Sequence, residues 1–147
     1  MAVVHQGELA FVYSYPSGGQ VLTRAVEQSL QLDPKQAEQY KRTYGLDETQ
    51  LQGKIREVLL PIVKLTIMEM QKMIQYYATQ MPPNKITRVL LSGGAAQLPG
   101  LVQLVAEQTG LEILQASPFA TSTGDLPQTN QLAYGVVMGF LMREKIA

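Results

Sequence analysis

The sequence has 147 residues, 46% of them apolar, with 12 basic and 12 acidic side chains, one His and no Cys. That is one domain's length with enough apolar material for a core, and it excludes a disordered chain; the net charge of zero speaks against a basic nucleic-acid footprint or a polybasic membrane patch. Without cysteine there is no disulfide framework or thiolate metal site, and His5 alone makes no histidine cluster, which removes most zinc sites and most His-dependent nucleophile chemistry.

The start, Met1 to Gln6, has neither a basic stretch nor a long apolar run, so no signal peptide is expected. Residues 2–4 and 9–15 read as strands joined by a tight turn at Gln6-Gly7-Glu8. Leu9, Phe11 and Tyr13 alternate with Ala10, Val12 and Ser14, so both faces of the second strand are fairly apolar and a strand covered on both sides is expected. Pro16-Ser17-Gly18-Gly19 breaks it.

A helix is expected over 20–30, where Val21, Leu22, Ala25, Val26, Ser29 and Leu30 fall on one face. Asp33 before Pro34 is an N-cap with proline at the first helical position, and starts a second helix over 34–43 that closes near Gly45. Asp47 or Thr49 would cap a long third helix over 48–80. Its inner face would carry Ile55, Leu59, Ile62, Thr66, Met70, Met73 and Tyr77, with a kink at Pro61 and a stop at Pro82-Pro83-Asn84.

A short strand over 86–91 runs straight into Ser92-Gly93-Gly94-Ala95-Ala96. A helix over 98–109 and a strand over 112–114 follow, then a polar loop over 116–128 and a last helix over 130–145 with Ala133, Val137, Phe140 and Leu141 inward. The order β-β-α-α-α-β-α-β-α implies an α/β sheet opened by an antiparallel hairpin. No apolar run approaches ~18 residues, so no bilayer span is expected. The chain reads as soluble and intracellular, with no detached amphipathic helix for a membrane surface.

Four segments carry candidate chemistry. In Ser92-Gly93-Gly94-Ala95, glycines between a strand and a helix let a phosphate or a polar ring approach the backbone; an ordinary tight βα turn reads the same way, and neither the dinucleotide nor the P-loop spacing is present. Glu38 shares a helix face with Lys41 and Arg42, which suits a carboxylate accepting ribose hydroxyls beside a cation over a purine; a plain surface ion pair suits it as well. Pro16 to Thr23 is either a phosphate-facing helix start or a loop with Ser17 as cap. Met68, Met70, Met73 and Met81 with Tyr76 and Tyr77 read mostly as core, with an adaptable docking face as the alternative. For catalysis the inventory is poor: no D-x-G occurs, and Asp33, Asp47 and Asp125 sit in cap or loop contexts.

Together these pieces resemble the C-terminal half of the PilM family, the actin-like type IV pilus assembly proteins, with the cell-division protein FtsA as a near relative. The resemblance runs through Gly18-Gly19, Leu22, Thr23 and Ala25, then Ala37-Glu38, Lys41-Arg42 and Tyr44-Gly45-Leu46. It continues through Pro61 and Tyr76-Tyr77, Val89 to Ala95 with Leu98-Pro99-Gly100-Leu101, Ser117-Pro118-Phe119, and Tyr134-Gly135-Val136 with Met138-Gly139.

The resemblance implies the second lobe of an actin-like (ribonuclease H-like) ATPase fold. It implies a sheet-bearing part, 1–31 with 85–147, and a helical insertion over 32–84. Ser92, Gly93, Gly94 and Ala95 then look like the adenosine motif, Glu38 like the ribose ligand, and Lys41 and Arg42 like adenine-side partners. The expected ligand is ATP held through its adenosine side. No magnesium is expected from this chain alone, because the first lobe and the D-x-G phosphate hairpin are missing. The expected role is a non-enzymatic assembly module, cytoplasmic and near the inner membrane through partners. Those partners are a first lobe or a PilN-type inner-membrane protein, with self-association through exposed strand edges; neither nucleic acid nor direct membrane insertion is expected. An ATPase lobe completed by another chain, an FtsA-like tether and an unrelated α/β nucleotide-binding domain stay open as alternatives.

Overall fold

The computed structural model describes residues 1–117, 119 and 131–135. Strands β1 (Ala2–His5) and β2 (Glu8–Val12) form an antiparallel hairpin, turned by Gln6 and Gly7 at φ 52° and 86°. Helices α1 (Gly19–Leu30), α2 (Pro34–Tyr44) and α3 (Lys54–Gln80) follow. Strand β3 (Arg88–Leu91), helix α4 (Leu101–Thr109) and strand β4 (Glu112–Gln115) then make a right-sized β-α-β unit whose two strands pair in parallel. The helix expected over 130–145 lies outside the described residues except at 131–135, where Gln131–Tyr134 is a 3-10 turn. The loop expected over 116–128 also lies mostly outside them.

One apolar core ties the four helices together. Leu22 and Val26 of α1, Ala37 of α2, Ile55, Leu59, Val63 and Ile67 of α3, and Val105 of α4 are all buried, as are Leu46 and Leu98. Each fully buried aliphatic side chain contributes about 1.5–3 kcal/mol. Helix α3 is the central beam and runs unbroken through Pro61, whose ring faces solvent. Its buried stripe is 55/59/63/67/77, so Val63 and Ile67 take core places that the sequence pattern assigned to Ile62 and Thr66.

The start of α3 differs from expectation. Asp47 caps no helix; its carboxylate accepts from the Thr49 N–H and hydroxyl at 2.8 and 2.7 Å in a local turn. Leu51, Gln52 and Gly53 then adopt φ of 46°, 56° and 74°, and α3 starts after them. Asp33 behaves as predicted, accepting from the N–H groups of Lys35 and Gln36 at 2.9 and 3.1 Å.

Strand β2 is not covered on both sides. Val3↔Phe11 and Val4↔Leu9 are paired, so Ala10 is the extra residue of a bulge. The bulge places Leu9 on the same face as Val4, Ala2 and Val12. That face is open, with Val4 63%, Leu9 63% and Val12 61% exposed. The opposite face packs on α3: Phe11 lies edge-on to Tyr76 at 5.6 Å, and His5 lies 6.4 Å from Tyr77. In the parallel pair, Leu90 and Leu114 stand opposite each other and are likewise exposed. Apolar alternation looks the same in a sequence whether or not a second layer covers the strand.

Candidate functional site

The site is built where the N-terminus of α1 meets the middle of α2. Glu38, Lys41 and Arg42 lie three and four residues apart and therefore on one face of α2. Lys41 Nζ donates to Glu38 Oε2 at 2.6 Å, and Arg42 Nε donates to Glu38 Oε1 at 2.6 Å. From α1, the Thr23 hydroxyl lies 2.5 Å from Glu38 Oε2 and accepts from Lys41 Nζ at 2.8 Å. Lys41 also reaches the Gly19 carbonyl at 3.2 Å.

Lys41 is the only buried polar or charged residue among the described residues, at 6% exposure. An ammonium tolerates that position only with its donors satisfied, and Glu38, Thr23 and the Gly19 carbonyl satisfy them. Burial alone pushes the Glu38 carboxyl up; hydrogen bonds from Lys41, Thr23 and Arg42 outweigh that and hold it at about 2. Glu38 is therefore a fixed anion and a very weak base. Arg42 is more than half exposed, so its free guanidinium edge faces outward.

The glycine turn sits beside this network. A Cβ on Gly19 would lie 3.6 Å from Lys41 Nζ and 3.9 Å from the Ala95 Cβ, so Gly19 is wedged between the two motifs. Gly93 adopts φ 90°, ψ 167°, a conformation that only glycine occupies without strain. A Cβ on Gly93 or Gly94 would meet nothing within 4 Å, so the turn's outer side is open to a ligand. Its other side is closed by the 131–135 segment. The Gly93 N–H donates to the Leu132 carbonyl at 2.9 Å, and a Cβ on Gly135 would sit 2.5 Å from Ser92 Oγ.

Glu38, Lys41 and Arg42 are thus joined directly, and Ala95 is brought to them through Gly19. Ser92 is turned toward Gly135, at the far end of the turn. Thr23 belongs to the Pro16–Thr23 candidate segment but not to the expected nucleotide-site residues; its hydroxyl touches both Glu38 and Lys41, which also bond each other directly. It lies one helical turn after Gly19, whose carbonyl its hydroxyl reaches at 2.9 Å.

Of the aromatic and methionine cluster, Tyr77 is buried, while Met68, Met81 and Tyr76 are exposed. Met73 and Tyr76 line a cleft of about 390 Å³ between α3 and β2. The expected nucleotide-site residues line neither this cleft nor a more polar hollow of about 550 Å³ beside Arg56 and Glu107. Among the described residues no helix is long and apolar enough to cross a membrane.

Several solved structures share this fold, including the two that follow. A chain of the "PilM-PilN type IV pilus biogenesis complex" superposes with a TM-score of 0.70 at 23% identity, over 85% of this chain and 36% of that one. The ethanolamine utilization protein EutJ from Carboxydothermus hydrogenoformans gives a TM-score of 0.64 at 20% identity, over 94% of this chain and 42% of that one. The chain thus spans less than half the length of either, and its fold is a single lobe of the actin-like type. The family profile of the type IV pilus assembly protein PilM matches residues 1–144. The chain, matched over almost its whole length, belongs to the PilM family of type IV pilus assembly proteins.

Proposed function

We propose that this chain is a cytoplasmic scaffold module of type IV pilus assembly, that it carries the adenosine-side half of an ATP cleft, and that it acts by protein contact rather than catalysis. The observation that carries the nucleotide part is the buried Lys41 held by Glu38 and Thr23, with Gly19 linking it to the open Gly93-Gly94 turn. Glu38 and Arg42 would take the ribose and adenine edges. The backbone of Ser92, Gly93, Gly94 and Ala95 would lie along the nucleoside.

The non-catalytic part is supported by chemistry. A carboxyl held at about 2 is too weak a base to activate water near neutral pH. ATP would be read from its adenosine end, without magnesium ligands from this chain. The proposal includes the division into a sheet-bearing part, 1–31 with 85–147, and a helical insertion over 32–84. A PilN-type partner is supported by the solved complex that shares the fold. Pairing with a first lobe, or with a second copy, is supported by the open apolar faces at Val4, Leu9, Val12, Leu90 and Leu114.

Titration calorimetry with adenosine, and with ATP in the presence and absence of magnesium, tests the nucleotide part. Phosphate release that depends on magnesium and disappears in Glu38→Ala would overturn the non-catalytic part and favour an ATPase lobe completed by another chain.

A further inference from the structure

The outer edge of β2 borders a cleft against α3, lined by none of the expected nucleotide-site residues. Tyr13 exchanges two backbone hydrogen bonds with Met1: its N–H donates to the Met1 carbonyl at 2.8 Å, and its carbonyl accepts from the Met1 amine at 2.7 Å. Peptide planes are flat and trans, so the two flanking groups point the opposite way. The Val12 carbonyl and the Ser14 N–H therefore face away from β1. Among the described residues, β2 pairs with β1 alone. One acceptor and one donor flanking a single residue are the groups with which an added strand pairs.

The cleft is continuous with that edge. Phe11, Val12 and Tyr13 line it from the strand and Lys72, Met73 and Tyr76 from α3, around about 390 Å³. Val12 points its side chain to the opposite face, with Ala2, so it reaches the cleft through its backbone. The wall of the cleft is thus the unpaired strand edge itself, beside an apolar floor of Phe11, Met73 and Tyr76.

The rim is charged on one side. Glu69 is engaged by the Tyr13 hydroxyl at 2.8 Å and by Lys72 at 2.6 Å. Lys72 is 67% exposed and Glu69 only 19%, so the ammonium is what an arriving segment meets.

We infer that an extended segment of a partner protein adds to β2 as a strand, pairing with the Val12 carbonyl and the Ser14 N–H, placing an aliphatic or aromatic side chain in the cleft, and setting a carboxylate against Lys72. A second copy of β2 fits less well. The bulge at Ala10 and Pro16 leave too short a regular edge for strand-to-strand dimerisation, and such a dimer leaves the cleft unfilled. A peptide gains both backbone pairing and a side-chain anchor. The inference rests on the scaffold part of the proposed function and is independent of the nucleotide part.

The probe is a terminally blocked synthetic peptide of alternating threonine and valine with a central leucine next to a glutamate. Its control is the same peptide with alternate backbone nitrogens methylated. Fluorescence anisotropy and Ser14 amide exchange are followed on the full chain. The unmethylated peptide is expected to slow Ser14 exchange at least ~10-fold while the methylated one leaves it unchanged. Lys72→Glu is expected to weaken binding ~10-fold, and Ser14→Pro to abolish it with circular dichroism unchanged. Equal protection by both peptides, no protection at millimolar peptide, or protection that rises with protein concentration alone would each overturn the inference. Adenosine titrations on the same samples separate the two surfaces: lost peptide pairing with adenosine binding intact contradicts this inference alone.

Discussion

Gly45 lies so close to Pro99 that a Cβ built on it would sit 2.6 Å from the proline Cδ and 2.8 Å from its nitrogen and carbonyl oxygen. The next residue, Leu46, donates its N–H to the Pro99 carbonyl at 2.9 Å, and a Cβ on Gly100 would lie 3.1 Å from the Leu46 Cβ. The end of α2 is thus bolted to the start of α4. This contact holds the Glu38–Lys41 face of α2 in place relative to the β3–α4 connection that carries the glycine turn. It also explains why Tyr44-Gly45-Leu46 and Leu98-Pro99-Gly100 occur as a pair of motifs.

Gly45→Ala is expected to cost about 2–4 kcal/mol, because φ 48° with ψ −123° disfavours a side chain and Pro99 leaves no room for one. Gly93→Ala meets no neighbour and is expected to cost only its backbone strain, about 1–3 kcal/mol. Urea unfolding of the two variants checks the order; a larger loss at Gly93 would contradict it.

Much of this was legible in the sequence. The 3–4 spacing of Glu38, Lys41 and Arg42, the Asp33-Pro34 helix start and the strand-turn-helix around Ser92 are all local, and local chemistry enforces them. What was not legible depends on partners far along the chain. Leu51 and Gln52 enter the left-handed region although neither is a glycine, so nothing in their residue types marks the start of α3. Thr23 becomes part of the site only because α1 packs on α2. Whether β2 is covered depends on a neighbouring layer, and Leu9 and Val12 look alike in both cases.

Buried Lys41 and its carboxylate partner are expected to respond unequally to mutation. Glu38→Ala leaves the ammonium short of its strongest acceptor and is expected to cost about 2–3 kcal/mol. Lys41→Met removes the charge and keeps the shape, and is expected to change stability by less than about 1 kcal/mol. Lys41→Met is nonetheless expected to weaken adenosine binding ~10-fold. Chemical denaturation and calorimetry on the same pair of variants read the two effects separately.

The Glu38 carboxyl, at about 2 rather than its ordinary 4.5, also sets an acid dependence. A carboxylate whose value is lower in the folded chain stabilises it fully above the unfolded value and progressively less as pH falls toward the folded one. Stability should therefore decline between about pH 4.5 and about pH 2, and Glu38→Gln should flatten that decline. Thermal midpoints across this range for the two chains provide the check; parallel curves would remove Glu38 from the account.

The open sheet faces predict association. Val4→Lys combined with Leu9→Lys puts charge on residues that are each 63% exposed, so folding should be unaffected and self-association reduced. Sedimentation velocity over a concentration series is the measurement. Unchanged association in the double variant would move the contact elsewhere.

If this chain reads the nucleoside and not the phosphates, adenosine and ATP should behave alike in side-by-side calorimetry. Both are expected to bind with affinities within ~3-fold of each other, with magnesium changing neither and Glu38→Ala abolishing both. Binding of ATP alone, dependent on magnesium, or binding of neither ligand at millimolar concentration, would contradict it.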